Sequence, residues 1–150
     1  HAGAELREVV CGVLREAGVQ VVDVGTFSTE STDYPLFAEA VARKVASGEA
    51  DLGVLVCGTG VGMAIAANKI AGAYAAHASD PYTARMAREH NAANILTLGA
   101  RVVGAGLAAE IVRAFISATP SPEARHERRR EQVRKIEAGG CPGIGVHRDG

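Results

Sequence analysis

Neither sign of charge is in excess in this sequence, whose 150 residues include 16 basic and 17 acidic side chains and give a formal net charge of −1. A global field that would attract nucleic acid or an anionic membrane is therefore not indicated. The chain also lacks an apolar run of about 18 residues, the length needed to cross a bilayer. It does not open on a basic segment followed by an apolar one. The composition predicts no nucleic-acid partner, no membrane partner and no export signal.

Cysteines are few, and they are not arranged in pairs. Cys11, Cys57 and Cys141 are an odd number without C-x-x-C spacing, which argues against a disulfide framework and against a structural zinc site. We therefore expect no bound metal and a reducing cytoplasmic location.

The chain is 47% hydrophobic, enough for one globular domain with its own core. Helical and strand-like apolar patterns alternate along it, which predicts an α/β fold: a three-layer, Rossmann-like parallel sheet in a single domain, with helices on both faces. A domain over 1–138 and a flexible, glycine-rich tail over 139–150 are expected. The predicted strands are 19–24, 52–57, 73–77 and 95–98, and the predicted helices are 6–14 (ended by Gly18), 36–46, 63–68, 82–90, 105–117 and 121–138.

The densest chemical signal is the run Cys57-Gly58-Thr59-Gly60-Val61-Gly62, between an apolar strand and a helix. Glycines let the backbone curl so that several N–H groups point at one anion; the alternative is a tight strand-to-helix turn without a ligand. The spacing does not fit a dinucleotide fingerprint, and no Gly-Lys-Ser/Thr follows as in a P-loop. A hydrolase triad has no support either, because G-x-S-x-G is absent.

Cys57 lies at the edge of this glycine-rich loop, where a helix amino terminus and nearby cations favour a thiolate. A buried and inert thiol is the alternative. His90 and Asn91 end a helix just before a strand. A histidine there exchanges protons near neutral pH or simply interacts with the helix end.

Residues 125–135 hold six basic and two acidic side chains. Arg125 and Arg129 are one helical turn apart and share a face, and paired guanidinium groups suit a phosphate. The alternatives are a solvated helix face and a nucleic-acid footprint, the latter weakened because no aromatic residues are interleaved. Arg101 also follows a strand and is a candidate for the same anion site.

Together these motifs resemble the ribose-5-phosphate isomerase B family, which includes galactose-6-phosphate isomerase subunits. The resemblance covers about residues 1–136. The matching segments are His1-Ala2-Gly3, Asp33-Tyr34-Pro35, Ser47-Gly48-Glu49-Ala50-Asp51, Cys57-Gly58-Thr59-Gly60-Val61-Gly62, Ala66-Ala67-Asn68-Lys69, Ala84-Arg85-Met86-Ala87-Arg88-Glu89-His90-Asn91, Leu98-Gly99-Ala100-Arg101-Val102 and Arg125-His126.

The resemblance implies an aldose–ketose isomerase of the pentose phosphate pathway that interconverts ribose 5-phosphate and ribulose 5-phosphate without a cofactor. It implies that Cys57 moves a proton between C2 and C1, that Thr59 and the N–H groups of residues 58–62 hold the oxyanion, and that His90 opens the sugar ring. The implied sugar and phosphate contacts are His1, Tyr34, Gly58, Gly60, Val61, Gly62, Asn91, Arg101, Arg125 and Arg129.

The resemblance also implies a homodimer or tetramer with its active site at the dimer interface. A six-carbon sugar phosphate, such as galactose 6-phosphate or allose 6-phosphate, is an alternative substrate. A non-enzymatic phosphosugar-binding protein is the alternative from another functional class, because fold alone does not fix function.

Two departures from the family pattern accompany these matches. Relatives begin with a strand that ends in Ser-Asp-His-Ala-Gly, and this chain starts at that histidine. We therefore expect the biological protein to be longer by one strand, which carries a substrate-contacting aspartate in relatives. Ala78-Ser79-Asp80-Pro81 replaces a Cys-His-Asp-Thr-like stretch, a loop that we expect to adjust substrate fit.

Overall fold

The structure is a computed structural model that describes residues 2–25 and 33–140. Within these ranges the chain alternates between helices and short strands. The elements are α1 (Ala2–Glu16), α2 (Tyr34–Ala46), β1 (Gly53–Cys57), α3 (Val61–Ala67), β2 (Ala75–His77), α4 (Pro81–Asn91), β3 (Ile95–Gly99), α5 (Ala105–Ser117) and α6 (Ala124–Glu137).

The described sheet is parallel and has the order β1-β3-β2. Its central strand, β3, is buried at all five positions, as expected for a parallel strand covered on both faces. Leu96 and Leu98 pack with α1, α4 and α5, whereas Ile95 packs with α2 and α3. The predicted α/β architecture, with helices on both faces, is confirmed.

Single residues mark several of the helix ends. The Asp80 carboxylate accepts a hydrogen bond from the Thr83 N–H at 2.7 Å and caps α4, with Pro81 as its first residue. That bond lowers the pKa of the Asp80 carboxyl group. Gly18 and Gly48, with φ of +76° and +83°, follow α1 and α2 in the left-handed conformation that glycine adopts readily.

The predicted strand over 19–24 is wrong. These residues have no ladder partner among the described strands, and Val22 is 67% exposed. Side-chain bonds hold the segment instead: Arg7 of α1 donates to the Asp23 carboxylate, which also accepts from the Gly25 N–H at 2.9 Å. An alternating apolar pattern forms a strand only where a neighbouring strand offers hydrogen bonds.

The described chain separates into two compact units, one ending at Pro120 and one beginning at Ser121. In the second, the Arg130 guanidinium donates to the Ser121 carbonyl at 2.8 Å, so α6 is tied to the segment that leads into it. The expected strand before His1, and the predicted flexible tail beyond residue 140, lie outside the described residues. No helix within the described ranges is long and apolar enough to span a bilayer.

Phe115 is the largest fully buried side chain among the described residues, and truncating it tests the packing of α5 in the core that it shares with α1, α4 and β3. We expect Phe115→Ala to lower the free energy of unfolding by roughly 3–5 kcal/mol, because a large cavity remains. Urea denaturation measures this. Leu107→Ala, on the same helix at a position 39% exposed, is the matched control and should cost clearly less. Equal losses for both would contradict this packing.

Candidate active site

The carboxyl ends of β1 and β3 meet at Cys57 and Gly99, which are register partners. The ladder continues past both strands: the Ala100 N–H donates to the Cys57 carbonyl at 2.8 Å, and the Arg101 N–H to the Gly58 carbonyl at 3.0 Å. The start of the glycine-rich loop is thereby fixed against the turn that follows β3. This is the sheet edge at which parallel α/β proteins bind ligands.

At two positions of the loop, close neighbours leave no room for a side chain, so glycine is required. Gly60 has φ of +84°, and a Cβ placed on it would lie 2.7 Å from His77 Nδ1 and 2.8 Å from the Leu98 carbonyl carbon. A Cβ on Gly62 would lie 2.6–2.7 Å from the Tyr34 ring and its hydroxyl. The loop is therefore held between β2 and β3 on one side and the first turn of α2 on the other.

Cys57 is half-buried, and its sulfur accepts a hydrogen bond from the loop. The Gly60 N–H donates to Cys57 Sγ at 3.2 Å, a contact that suits a negatively charged sulfur. Cys11, the other described cysteine, is buried in α1, and burial raises the pKa of its thiol. Of the two, Cys57 is the one placed for chemistry.

Two N–H groups of the loop already have acceptors within the protein. Besides the Gly60 contact, the Val61 N–H faces Thr59 Oγ1 at 3.3 Å. Thr59 itself is exposed, so its hydroxyl is open to a ligand. Because α3 has only seven residues, its dipole adds little to the predicted anion site.

Tyr34 and Arg101, two predicted ligand contacts, lie beside the same loop. Tyr34 is the first residue of α2 and contacts Gly62. The Arg101 side chain passes Gly58, with Cδ and Nε 3.8 Å from where a Cβ would stand. The structure thus brings these two side chains together with Cys57, Thr59 and the backbone of residues 58–62.

His90 and Asn91 occupy the opposite edge of the sheet within the chain. α4 begins just after the carboxyl end of β2 and ends at Asn91, four residues before the amino end of β3. It therefore runs back across the sheet, a distance of about 16 Å for its 11 residues. One copy of the chain does not bring His90 to its own Cys57.

Three predicted site residues remain. Arg125 and Arg129 are exposed residues of α6, in the second compact unit, where Arg125 Nε donates to Glu123 Oε2 at 2.8 Å. His1 lies outside the described residues.

His77 and Thr97 belong to this site, yet the sequence analysis did not single them out. They are register partners on β2 and β3, and His77 Nδ1 lies 3.2 Å from Thr97 Oγ1. Thr97 is completely buried. The available signal was two polar residues placed in otherwise apolar strands.

Within residues 2–25 and 33–140, no group of three or more histidine, cysteine or acidic side chains is arranged to hold a metal ion.

Comparison with known proteins places the chain in a family. A model of that family, described as Ribose/Galactose Isomerase, matches residues 1–133. The chain belongs to the ribose/galactose isomerase family. It is therefore an aldose–ketose isomerase.

Individual relatives match over most of their length. The chain is 49% identical over 137 residues to ribose-5-phosphate isomerase B of Escherichia coli, covering 91% of each chain. It is 43% identical over 122 residues to the galactose-6-phosphate isomerase subunit LacB of Clostridium acetobutylicum, covering 81% of this chain and 70% of that one. Ribose-5-phosphate isomerase B of Mycoplasma genitalium, solved with bound ribulose 5-phosphate, is 38% identical and superposes with a TM-score of 0.86, covering 93% of this chain and 92% of that one.

Proposed function

We propose that the protein interconverts D-ribose 5-phosphate and D-ribulose 5-phosphate through an enediolate, with Cys57 as the base. The observation that carries this proposal is the half-buried Cys57 sulfur at the carboxyl edge of the sheet, in contact with the Gly60 N–H. The similarity of the chain to the Escherichia coli enzyme, and to a structure that holds ribulose 5-phosphate, supports the choice of sugar.

In the proposed reaction the Cys57 thiolate removes the proton from C2 of the open-chain aldose, and the C1 carbonyl oxygen takes up the negative charge. The resulting thiol then returns a proton to C1. Overall, one hydrogen moves from C2 to C1 and one proton moves from O2 to O1, so no electron acceptor is needed. We assign the oxygen that becomes charged to the Thr59 hydroxyl and to the N–H groups of residues 58–62 other than those of Gly60 and Val61, which already have acceptors in the loop. Fixed donors at that oxygen are where a reaction is accelerated most.

The remaining roles follow the family resemblance. His90 is assigned to opening the furanose ring, with Asn91 beside it. Tyr34 and His1 are assigned to the sugar, and Arg101, Arg125 and Arg129 to the phosphate. We propose no metal and no organic cofactor, because an enediolate route needs only a base, a proton source and oxyanion donors. A reducing cytoplasm would keep the Cys57 thiol free.

A homodimer follows from the position of His90. Because α4 carries this residue away from Cys57 of its own chain, a complete site requires His90 from a second copy. Exposed apolar side chains on α2 and α3 offer a surface for that copy: Leu36 is 65% exposed, Val61 50% and Ile65 58%. Association through this surface would also cover the rim of the Cys57 loop, since Val61 belongs to both. A tetramer would be a pair of such dimers.

Replacing Cys57 tests the mechanism. We expect Cys57→Ala to lower kcat for ribose 5-phosphate by roughly 10²–10⁴-fold, the usual contribution of a general base. In heavy water, the wild-type protein should also incorporate solvent deuterium at the carbon that receives the proton. Cys11→Ala is the control and should keep both activities.

Equal rates in the wild-type protein and Cys57→Ala would remove Cys57 from the mechanism. If the wild-type protein binds the sugar phosphate but exchanges no deuterium, the protein is a phosphosugar-binding protein and the proposed function fails.

The six-carbon alternative is favoured by one observation, the 43% identity to a galactose-6-phosphate isomerase subunit. Comparing kcat/KM for ribose 5-phosphate, allose 6-phosphate and galactose 6-phosphate decides between the substrates. We expect the pentose to be preferred by about tenfold or more, since one extra carbon in a closed pocket changes binding by about 1–3 kcal/mol. A higher kcat/KM for either hexose would reassign the substrate.

Replacing exposed arginines of α6 tests whether this helix binds the substrate phosphate. We expect Arg125→Ala and Arg129→Ala each to raise KM for ribose 5-phosphate by roughly 10- to 100-fold, because each removes a charge-assisted hydrogen bond. Arg128→Ala is the matched control on the same helix, and its KM should not change. If KM stays constant in all three variants, the helix carries only a solvated basic face.

A further inference from the structure

The strongest unassigned feature of the structure is a histidine beneath the glycine-rich loop. His77 is the last residue of β2, it is half-buried, and its ring lies against the backbone of Gly60. A Cβ on Gly60 would be 2.7 Å from Nδ1 and 2.8 Å from Cε1 of this ring. The histidine therefore fills the space directly below the residue whose N–H contacts the Cys57 sulfur.

The His77 ring is itself held at both nitrogens. Nδ1 lies 3.2 Å from Oγ1 of Thr97, and Thr97 is fully buried on the central strand. Nε2 lies 3.5 Å from Oγ of Ser79, an exposed residue, so this second contact is weak. A threonine hydroxyl can donate or accept, so the Thr97 bond forms with either tautomer of the ring.

Gly60 is confined from two directions as a result. On one side its N–H points at Cys57 Sγ, 3.2 Å away. On the other side it meets the His77 ring and the Leu98 carbonyl carbon. Gly60 has a left-handed φ, and as the residue before α3 it accepts a hydrogen bond from the Ala64 N–H at 3.2 Å, so its N–H is the group that the contact with the ring can still turn. A small shift of the ring would therefore change the angle and length of the hydrogen bond to sulfur.

We propose that His77 is a positioning residue for Cys57: anchored by Thr97, its ring fixes Gly60 so that the Gly60 N–H stays on the Cys57 sulfur. The proposal rests on the proposed function of Cys57 as the base. His77 does not touch the reacting carbon in this arrangement. It acts through Gly60, and its effect is on the reactivity of the sulfur rather than on the affinity for sugar phosphate.

Two measurements on the full chain test this role: steady-state kinetics with ribose 5-phosphate, and the rate at which iodoacetamide alkylates Cys57, followed by peptide mass spectrometry. We expect His77→Leu to lower both kcat and the alkylation rate by about tenfold, the equivalent of one hydrogen bond, with KM changed by less than about twofold. His77→Asn, which can keep a hydrogen bond to Thr97, should recover most of both values.

Ser117→Ala is the control, because its hydroxyl donates to the Arg113 carbonyl at 2.6 Å on α5, and it should leave both rates unchanged. If His77→Leu does not fold, Thr97→Val replaces it. That variant removes the anchoring hydroxyl at nearly constant volume and should reproduce the loss. Thermal unfolding of each variant shows whether the fold is intact.

The proposal is overturned if folded His77→Leu or Thr97→Val keeps the wild-type kcat and alkylation rate. It is also overturned if the losses appear in KM alone, or if His77→Asn recovers neither rate. Failure of the proposed function looks different. The wild-type protein would then turn over no sugar phosphate, while alkylation of Cys57 would still report whether His77 controls the sulfur.

Discussion

The site depends on one constraint, the burial of β3 between two parallel neighbours and two helical layers. Every position of this strand is buried, so its backbone groups must be satisfied within the protein. β1 pairs along its whole length, β2 pairs at residues 95–97, and the turn after the strand bonds the Gly99 carbonyl. That requirement aligns the carboxyl ends of the strands and sets Cys57 opposite Gly99. The turn after β3 then continues the hydrogen-bond ladder to Gly58. This fixes the position at which the glycine-rich loop begins.

The conformation of the glycine-rich loop is set by the side chains and strands packed against it. Tyr34 limits it at Gly62, and His77 together with Leu98 limits it at Gly60. A loop with several glycines would otherwise sample many conformations. Fixed donors are effective in catalysis because they need no reorganisation as charge develops, so packing around glycine is how this fold supplies a rigid group of N–H donors.

Chain direction explains why the proposed site calls for two copies of the chain. In a parallel sheet each crossover helix returns from the carboxyl edge to the amino edge. A residue at the end of such a helix, like His90, is therefore separated by about the length of a strand from a residue at the carboxyl end of a strand, like Cys57. Symmetric association can place the helix end of one copy at the strand end of the other. The exposed apolar residues of α2 and α3 lie next to the Cys57 loop, where such association is needed.

The sequence by itself determined the local elements and the family. Asp80 and Pro81 start α4, Gly18 and Gly48 follow the ends of α1 and α2, and the apolar run that ends at Cys57 forms strand β1. These signals depend on neighbours in the chain, and they were read correctly. The glycine-rich motif likewise identified the loop, because close backbone approach leaves no alternative residue type.

Tertiary structure alone decided the rest. The pattern over 19–24 is strand-like, but a strand exists only through hydrogen bonds to another segment, and none of the described strands provides them. His77 and Thr97 are separated by 20 residues, and only the pairing of β2 with β3 makes them neighbours beneath Gly60. The family resemblance implied that His90 and Cys57 meet in one site at a dimer interface, but only the direction of α4 shows that they lie at opposite edges of the same chain. Each of these outcomes depends on which segments lie side by side, and that is set by packing across the sheet rather than by any local pattern of residues.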